Sequence, residues 1–344
     1  MSNQSLKSKL VKYLVFISFC LAFSFGCGGS KKPSSGNSEK VSLRLNGGLG
    51  VEYAGYYVAV TKGYYADEGL EVRLQTSDWE DRPEESVLNG TETFGVTWLP
   101  ELLIYRDKGK PVVNIAQIFQ KSGLKIIAKK SKGINLPTDF MHKRLGIWPE
   151  PRDIGTMTFL TQAAGLDAKI VQLIPQKKTI KPFIDNQVDA IPTMGYDGYL
   201  TLLEKGVNTT DLVVFDASTS NWGLLEDGIF TTDKTVQEQP ELCQRFLHAT
   251  LKGWQYAIDN PGETVEIILS YDKQNIMQHD QELVRLREII KLIKPTGSNS
   301  PKLGYLDPAE FNHNIDLLRK HGYLTQDISA TAYTHAIWEK SSRQ

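Results

Sequence analysis

Cysteine is almost missing from this 344-residue chain: only Cys20, Cys27 and Cys243 occur, and Cys243 alone lies outside the N-terminal segment. One thiol supports neither a disulfide framework nor a thiolate zinc site, so Cys243, in a helix-like run with Leu242, Phe246 and Leu247, reads as a small buried hydrophobe. Histidine is also sparse. The six, at 142, 248, 279, 313, 321 and 335, show no HExxH or other ligand spacing, and no metal is expected. A net charge of -1 offers no excess of either sign, so neither nucleic acid nor an anionic membrane surface is an expected partner. G-x-S-x-G, G-x-G-x-x-G and Walker patterns are all missing, and the glycines at 47, 48, 50 and 55 fit none of them. No catalytic residue and no cofactor is expected, and any ATP must be hydrolysed by another chain.

What the chain does have begins with an export segment. Lys7, Lys9 and Lys12 precede an apolar core over 13–25 that is too short to span a bilayer as a helix. Residues 1–26 read as a signal peptide and 27–40 as a flexible polar tether. This start resembles a bacterial lipoprotein signal, which makes Cys27 the expected lipidation site.

The body is organised around residues 52–72, EYAGYYVAVTKGYYADEGLEV. A helix is predicted over 55–66, Gly69 supplies a positive φ after it, and 70–74 alternates as a strand. With a strand at 41–45 in front, the unit is strand, loop, helix, strand, which predicts a parallel sheet. Further short strands are expected near 93–96, 111–117, 124–128, 144–148, 170–173, 188–192 and 212–215, separated by helices, giving an α/β class. From 239 onward the chain reads as helical. Interdomain crossings are placed at 129–133 and 218–222. They divide the chain into one lobe of 41–128 plus 223–344 and a second of 129–222, with two hinge linkers.

Ligands of parallel sheets sit beyond the carboxyl ends of the strands. The loops there carry aromatic rings beside hydrogen-bonding side chains: Asn46, Tyr56, Trp79, Trp98, Gln117, Trp148, Tyr196, Asp197 and Glu226 are the candidate ligand contacts. That mixture suits a flat heteroaromatic solute held by its faces and read along its edge. Each candidate also has a purely structural use. Trp98 can cap its helix against the sheet, Tyr56 can serve the core, Gln117 can satisfy backbone, and Glu226 can sit in a solvated turn. Basic residues near these loops are few, namely Arg152, Lys121 and Lys125, which disfavours a small anion.

The stretches "AGYYVAVTKGYYADEGLEV", "FGVTWLPELLIYRDKGKPVVNIAQIFQKSG", "LGIW", "VDAIPTMGYDGY", "LLEDGIFTT" and "LKGWQYAIDNPGETVEIIL" resemble the NMT1/THI5-like branch of ABC-transporter solute-binding proteins, nearest in motif to its riboflavin-binding subgroup. The resemblance implies a two-lobed periplasmic-binding-protein type II fold, each lobe a mostly parallel sheet flanked by helices. It further implies a monomeric, exported, lipid-anchored binding protein facing the periplasm or cell exterior, with ABC permease and ATPase subunits as partners. The implied ligand is riboflavin, with a thiamin pyrimidine precursor as alternative. A THI5-like pyrimidine synthase, which uses pyridoxal phosphate and iron in that family, is the rival from another class; its cysteine-rich motif has no counterpart here. Trp98, Gln117, Trp148, Tyr196 and Glu226 fall in segments that line the cleft of such proteins.

Overall fold

Ten strands form two separate sheets in the computed structural model, which describes residues 38–296, 302–328 and 331–342. The export segment, Cys27 and nearly all of the tether lie outside these residues. The strands are β1 (Glu39–Arg44), β2 (Leu70–Gln75), β3 (Phe94–Trp98), β4 (Val112–Gln117), β5 (Leu124–Lys129), β6 (Arg144–Ile147), β7 (Gln172–Pro175), β8 (Ala190–Met194), β9 (Leu212–Asp216) and β10 (Asp227–Thr232). The first sheet has the order β2-β1-β3-β10-β4 and the second β7-β6-β8-β5-β9. Both are mixed. Four strands of each run one way, while the strand fourth in order, β10 or β5, is antiparallel to both neighbours. That reversed strand is in each case the first to arrive from the other sheet. The two sheets are thus built on one plan, and each lends the other a strand.

The expected crossing at 129–133 is corrected by this pairing. Strand β5 bonds β8 and β9, so the chain leaves the first sheet before Leu124, through residues 118–123. The return runs through 217–226. β10, absent from the sequence reading, is buried on nearly every residue and carries no polar alternation that would mark it as a strand. The expected helix over 55–66 is broken into Ala54–Thr61 and Tyr64–Asp67, because Gly63 takes a left-handed φ of 77°.

Helix Pro240–Asp259 returns onto the first sheet and buries Phe246, which stacks on Phe94 of β3 at 4.0 Å and 6°. It crosses Ala54–Thr61 very closely. A Cβ on Gly253 would stand 2.2 Å from the Gly55 carbonyl oxygen, and one on Gly55 would lie 2.2 Å from the Trp254 ring. Two glycines therefore allow the backbones to touch, and this contact sets where the loop after β1 emerges. Cys243 is free and buried on the same helix, its thiol pushed up to about 12 by burial.

The two crossings are fastened together by polar side chains. Glu226 accepts from Ser122 Oγ and from Gly123 N, both at 2.6 Å. Gln117 Nε2 donates to the Glu226 carbonyl at 2.6 Å, while Gln117 Oε1 accepts from Asn114 at 3.1 Å. Ile118 N and Phe119 N both donate to the Asp227 carbonyl. Burial pushes the Glu226 carboxyl up to about 8, against donors that pull it down.

Two predictions follow from this framework. Gly253→Ala must separate the helices and is expected to cost about 1–3 kcal/mol in urea unfolding, whereas Gly262→Ala, with open space around it, stays within about 0.5 kcal/mol. A carboxyl raised on folding stabilises fully below its ordinary range and loses that contribution as pH climbs through the raised value. Melting temperature should therefore fall from about pH 5 to about pH 8 and level off above that, and Glu226→Gln should flatten that slope; an unchanged slope would show that Glu226 is not the titrating strap.

Candidate functional site

Three indoles meet where the two sheets face each other. Trp79 lies in the loop after β2, Trp98 ends β3, and Trp148 directly follows β6 of the second sheet. Their ring centroids are 5.9 Å (Trp79–Trp98), 5.5 Å (Trp79–Trp148) and 6.1 Å (Trp98–Trp148) apart. All three lie at or just past the carboxyl end of a strand, where parallel α/β units present their ligand contacts.

Into this cage the second lobe inserts Arg152, four residues past Trp148. Its side chain is wholly buried, with the guanidinium carbon 3.7 Å from the Trp79 ring centroid and 5.8 Å from that of Trp98. Nε donates to Glu101 Oε1 at 3.2 Å and Nη2 to Asn46 Oδ1 at 2.8 Å. Both partners belong to the first lobe. Glu84 lies in the same buried region and takes a hydrogen bond from Thr97 Oγ1. Burial, and then the charge of Glu101, push Glu84 up to about 7.

Beside the cage stands an acidic group. Lys178 Nζ is 3.3 Å from Asp197 Oδ2 and 5.3 Å from the Trp79 ring centroid, so it joins the two regions. Asp227, at the start of β10, is 3 % exposed and has no hydrogen bond to its carboxylate among the described residues. Burial and then Glu52 push it up to about 7, while Lys178 and Arg152 pull it down. Glu52 itself is raised by burial, opposed by Lys178. A cavity of about 290 Å³ opens here, lined by Trp148, Lys178, Thr193, Met194 and Asp197 among others.

Of the candidates read from sequence, Asn46, Trp79, Trp98, Trp148 and Asp197 converge on this gap. Tyr196 stands close by, edge-on to Phe119 at 5.9 Å, with Asp227 and Glu52 acting on its hydroxyl. Tyr56 does not join them through its ring. It is 1 % exposed and packs edge-on against Trp254 at 5.6 Å, inside the helix contact. Gln117 and Glu226 have their side-chain polar atoms committed to the hinge. Asp227, beside Glu226, reads from sequence as either a contact or a solvated turn, whereas three groups of the gap were not among the candidates: Glu52, Arg152 and Lys178. A signal existed for them, because each lies in the loop or helix start that follows the carboxyl end of a strand.

The family model described as NMT1/THI5 like matches residues 51–264. A formylaminopyrimidine-binding protein of Halalkalibacterium halodurans is 22 % identical over 336 residues, covering 93 % of this chain and 97 % of that protein. The riboflavin-binding protein RibY of Chloroflexus aurantiacus is 25 % identical over 304 residues, covering 84 % and 83 %. A 4-amino-5-hydroxymethyl-2-methylpyrimidine phosphate synthase of Legionella pneumophila is 28 % identical over 235 residues, covering 67 % and 72 %. Among solved structures, the alkanesulfonate-binding protein SsuA of Xanthomonas axonopodis, bound to MOPS, superposes with a TM-score of 0.65 at 10 % identity over 87 % of this chain and 99 % of that one. Fold, strand plan and matched segment agree: the chain belongs to the NMT1/THI5-like family.

Proposed function

We propose that this protein is the solute-binding component of an ABC importer, exported and anchored through a lipid on Cys27. It captures a planar vitamin-type heterocycle between its two lobes and delivers it to a membrane permease. Riboflavin is the ligand we put first. The observation that carries the reading is the cluster of three indoles, to which both lobes contribute, standing beside a cavity of about 290 Å³ that Trp148 lines together with Lys178 and Asp197. Stacking on an aromatic side chain contributes about 1–3 kcal/mol per ring, so two such faces and a few edge hydrogen bonds approach the roughly 8 kcal/mol of micromolar binding. The binding proteins among the relatives, one named for riboflavin and one for a formylaminopyrimidine, support a heterocycle over a small anion.

A pyrimidine precursor is the second reading, favoured by the match to the formylaminopyrimidine-binding relative along nearly its whole length. An enzyme related to the pyrimidine phosphate synthases is the third. Against it stands the single body cysteine, buried in a helix with its thiol pushed up to about 12, so no cysteine-rich active-site motif can form.

The test is mass spectrometry of whatever the purified full chain releases on denaturation, followed by calorimetric titration of riboflavin. The expected result is micromolar or tighter binding, weakened roughly tenfold or more by Trp148→Ala through loss of one stacked face. A colourless preparation that releases a pyrimidine would transfer the site to the second reading, and a pyridoxal-type absorbance band would establish the third.

A further inference from the structure

Resting on that binding reading, we infer that Arg152 is a resident occupant of the stacking face of Trp79. A solute's ring reaches that face only by displacing the guanidinium, so this one side chain sets how tightly and how fast solute is captured.

The three indoles leave no room for a ring between them. They meet edge-on or tilted, with interplanar angles of 71°, 71° and 50°. The cavity beside them, lined by Trp98, Glu101 and Arg152 among others, measures only about 20 Å³, the space of a single water. The face of Trp79 is already taken. The guanidinium carbon of Arg152 stands 3.7 Å from its ring centroid, a cation–π stack. Room for a solute begins at Trp148, in the cavity of about 290 Å³ that it lines with Lys178 and Asp197. To stack on Trp79 as well, a ring lodged there must take the place of Arg152.

Arg152 is built to give way. It belongs to the second lobe, while Asn46, Trp79 and Glu101 belong to the first, so opening of the lobes withdraws it from the indole. Its seat is also incompletely bonded. Arg152 Nη1, Asn46 Nδ2, Trp79 Nε1 and Glu101 Oε2 are buried there without hydrogen-bond partners. Buried polar groups left unpaired cost free energy, which offsets part of the attraction among guanidinium, carboxylate and indole. The contact competes for the face without locking it.

A guanidinium that grips the solute would act in the opposite direction, so the sign of one measurement is decisive. Riboflavin and 4-amino-5-hydroxymethyl-2-methylpyrimidine are titrated into the full chain and into Arg152→Ala, with circular dichroism confirming the fold. Association is followed by stopped-flow tryptophan fluorescence. Whichever solute binds the parent should bind Arg152→Ala about threefold or more tighter. The observed rate on the parent should level off as solute concentration rises, because withdrawal of Arg152 comes first, and the variant should lose that plateau or raise it. Arg152→Lys keeps the charge against Glu101 but loses the flat stack; its affinity should fall between the two, and it decides the matter where Arg152→Ala does not fold. The inference is overturned if these variants bind as the parent does or more weakly, for the arginine is then a solute contact or a structural strut and the binding reading stands. If neither solute binds any of the three proteins, the binding reading fails and this inference fails with it.

Discussion

A guanidinium taken wholly out of water must be met by a counter-charge and by faces that tolerate it, and Arg152 imposes that requirement on the gap between the sheets. Its partners are the Glu101 carboxylate, the Asn46 amide and the ring of Trp79, all from the lobe opposite its own. Breaking such a buried pair by removing one member typically costs about 3–5 kcal/mol, because the other charge is stranded. The segment from Trp148 to Arg152 is therefore fixed in its position against the first lobe whenever the two lobes meet, although the pair adds little net stability to that meeting. Trp148 reaches Trp79 and Trp98 because it travels with the arginine. The aromatic cage follows from where one charge has to go.

What makes that docking reproducible is the way the sheets share strands. Each sheet receives its reversed strand from the chain as it arrives from the other, so both linkers enter a sheet interior directly. Neither can slide along an edge. Glu226 and Gln117 then bond across the two linkers with groups that would otherwise be buried and unpaired. The result is a joint with fixed ends and short spans at 118–123 and 217–226, the arrangement from which hinge motion is drawn in two-lobed proteins.

The parts of this design that obey a simple period were legible in the sequence. The helix Pro240–Asp259 carries its stripe of Leu242, Phe246, Leu247 and Trp254 at helical spacing, and Trp98 and Trp148 could be placed because residues after parallel strands face ligands. Strand β10 was not legible, since a strand buried on both faces lacks alternation. Gln117 and Glu226 showed the same surface signal as Asn46 and Asp197, a polar side chain beyond a strand end. Only the crossing of the linkers decides which pair serves the hinge. Arg152 was visible as a cation near the loops, but its burial depends on Glu101 of another lobe, a partner that no local pattern indicates.

The energetics of the gap bear on what would close it. Several contacts that span it are polar and partly exposed. Lys177 meets Glu80 at 2.7 Å with both side chains largely in solvent, Arg285 meets Glu204 at 2.8 Å, and Thr161 meets His321 at 2.9 Å. An exposed pair such as Lys177–Glu80 contributes about 0–1 kcal/mol. The buried pair of Arg152 and Glu101 recovers in Coulombic attraction roughly what its desolvation costs. Neither class commits the lobes strongly to one state. Moving such a joint from 1:99 to 99:1 takes about 5.5 kcal/mol of differential binding. A ligand held at micromolar affinity, about 8 kcal/mol, can supply that only if most of its contacts form in the closed state alone. A cage whose rings and donors come from both lobes meets that condition, since no single lobe offers more than part of it.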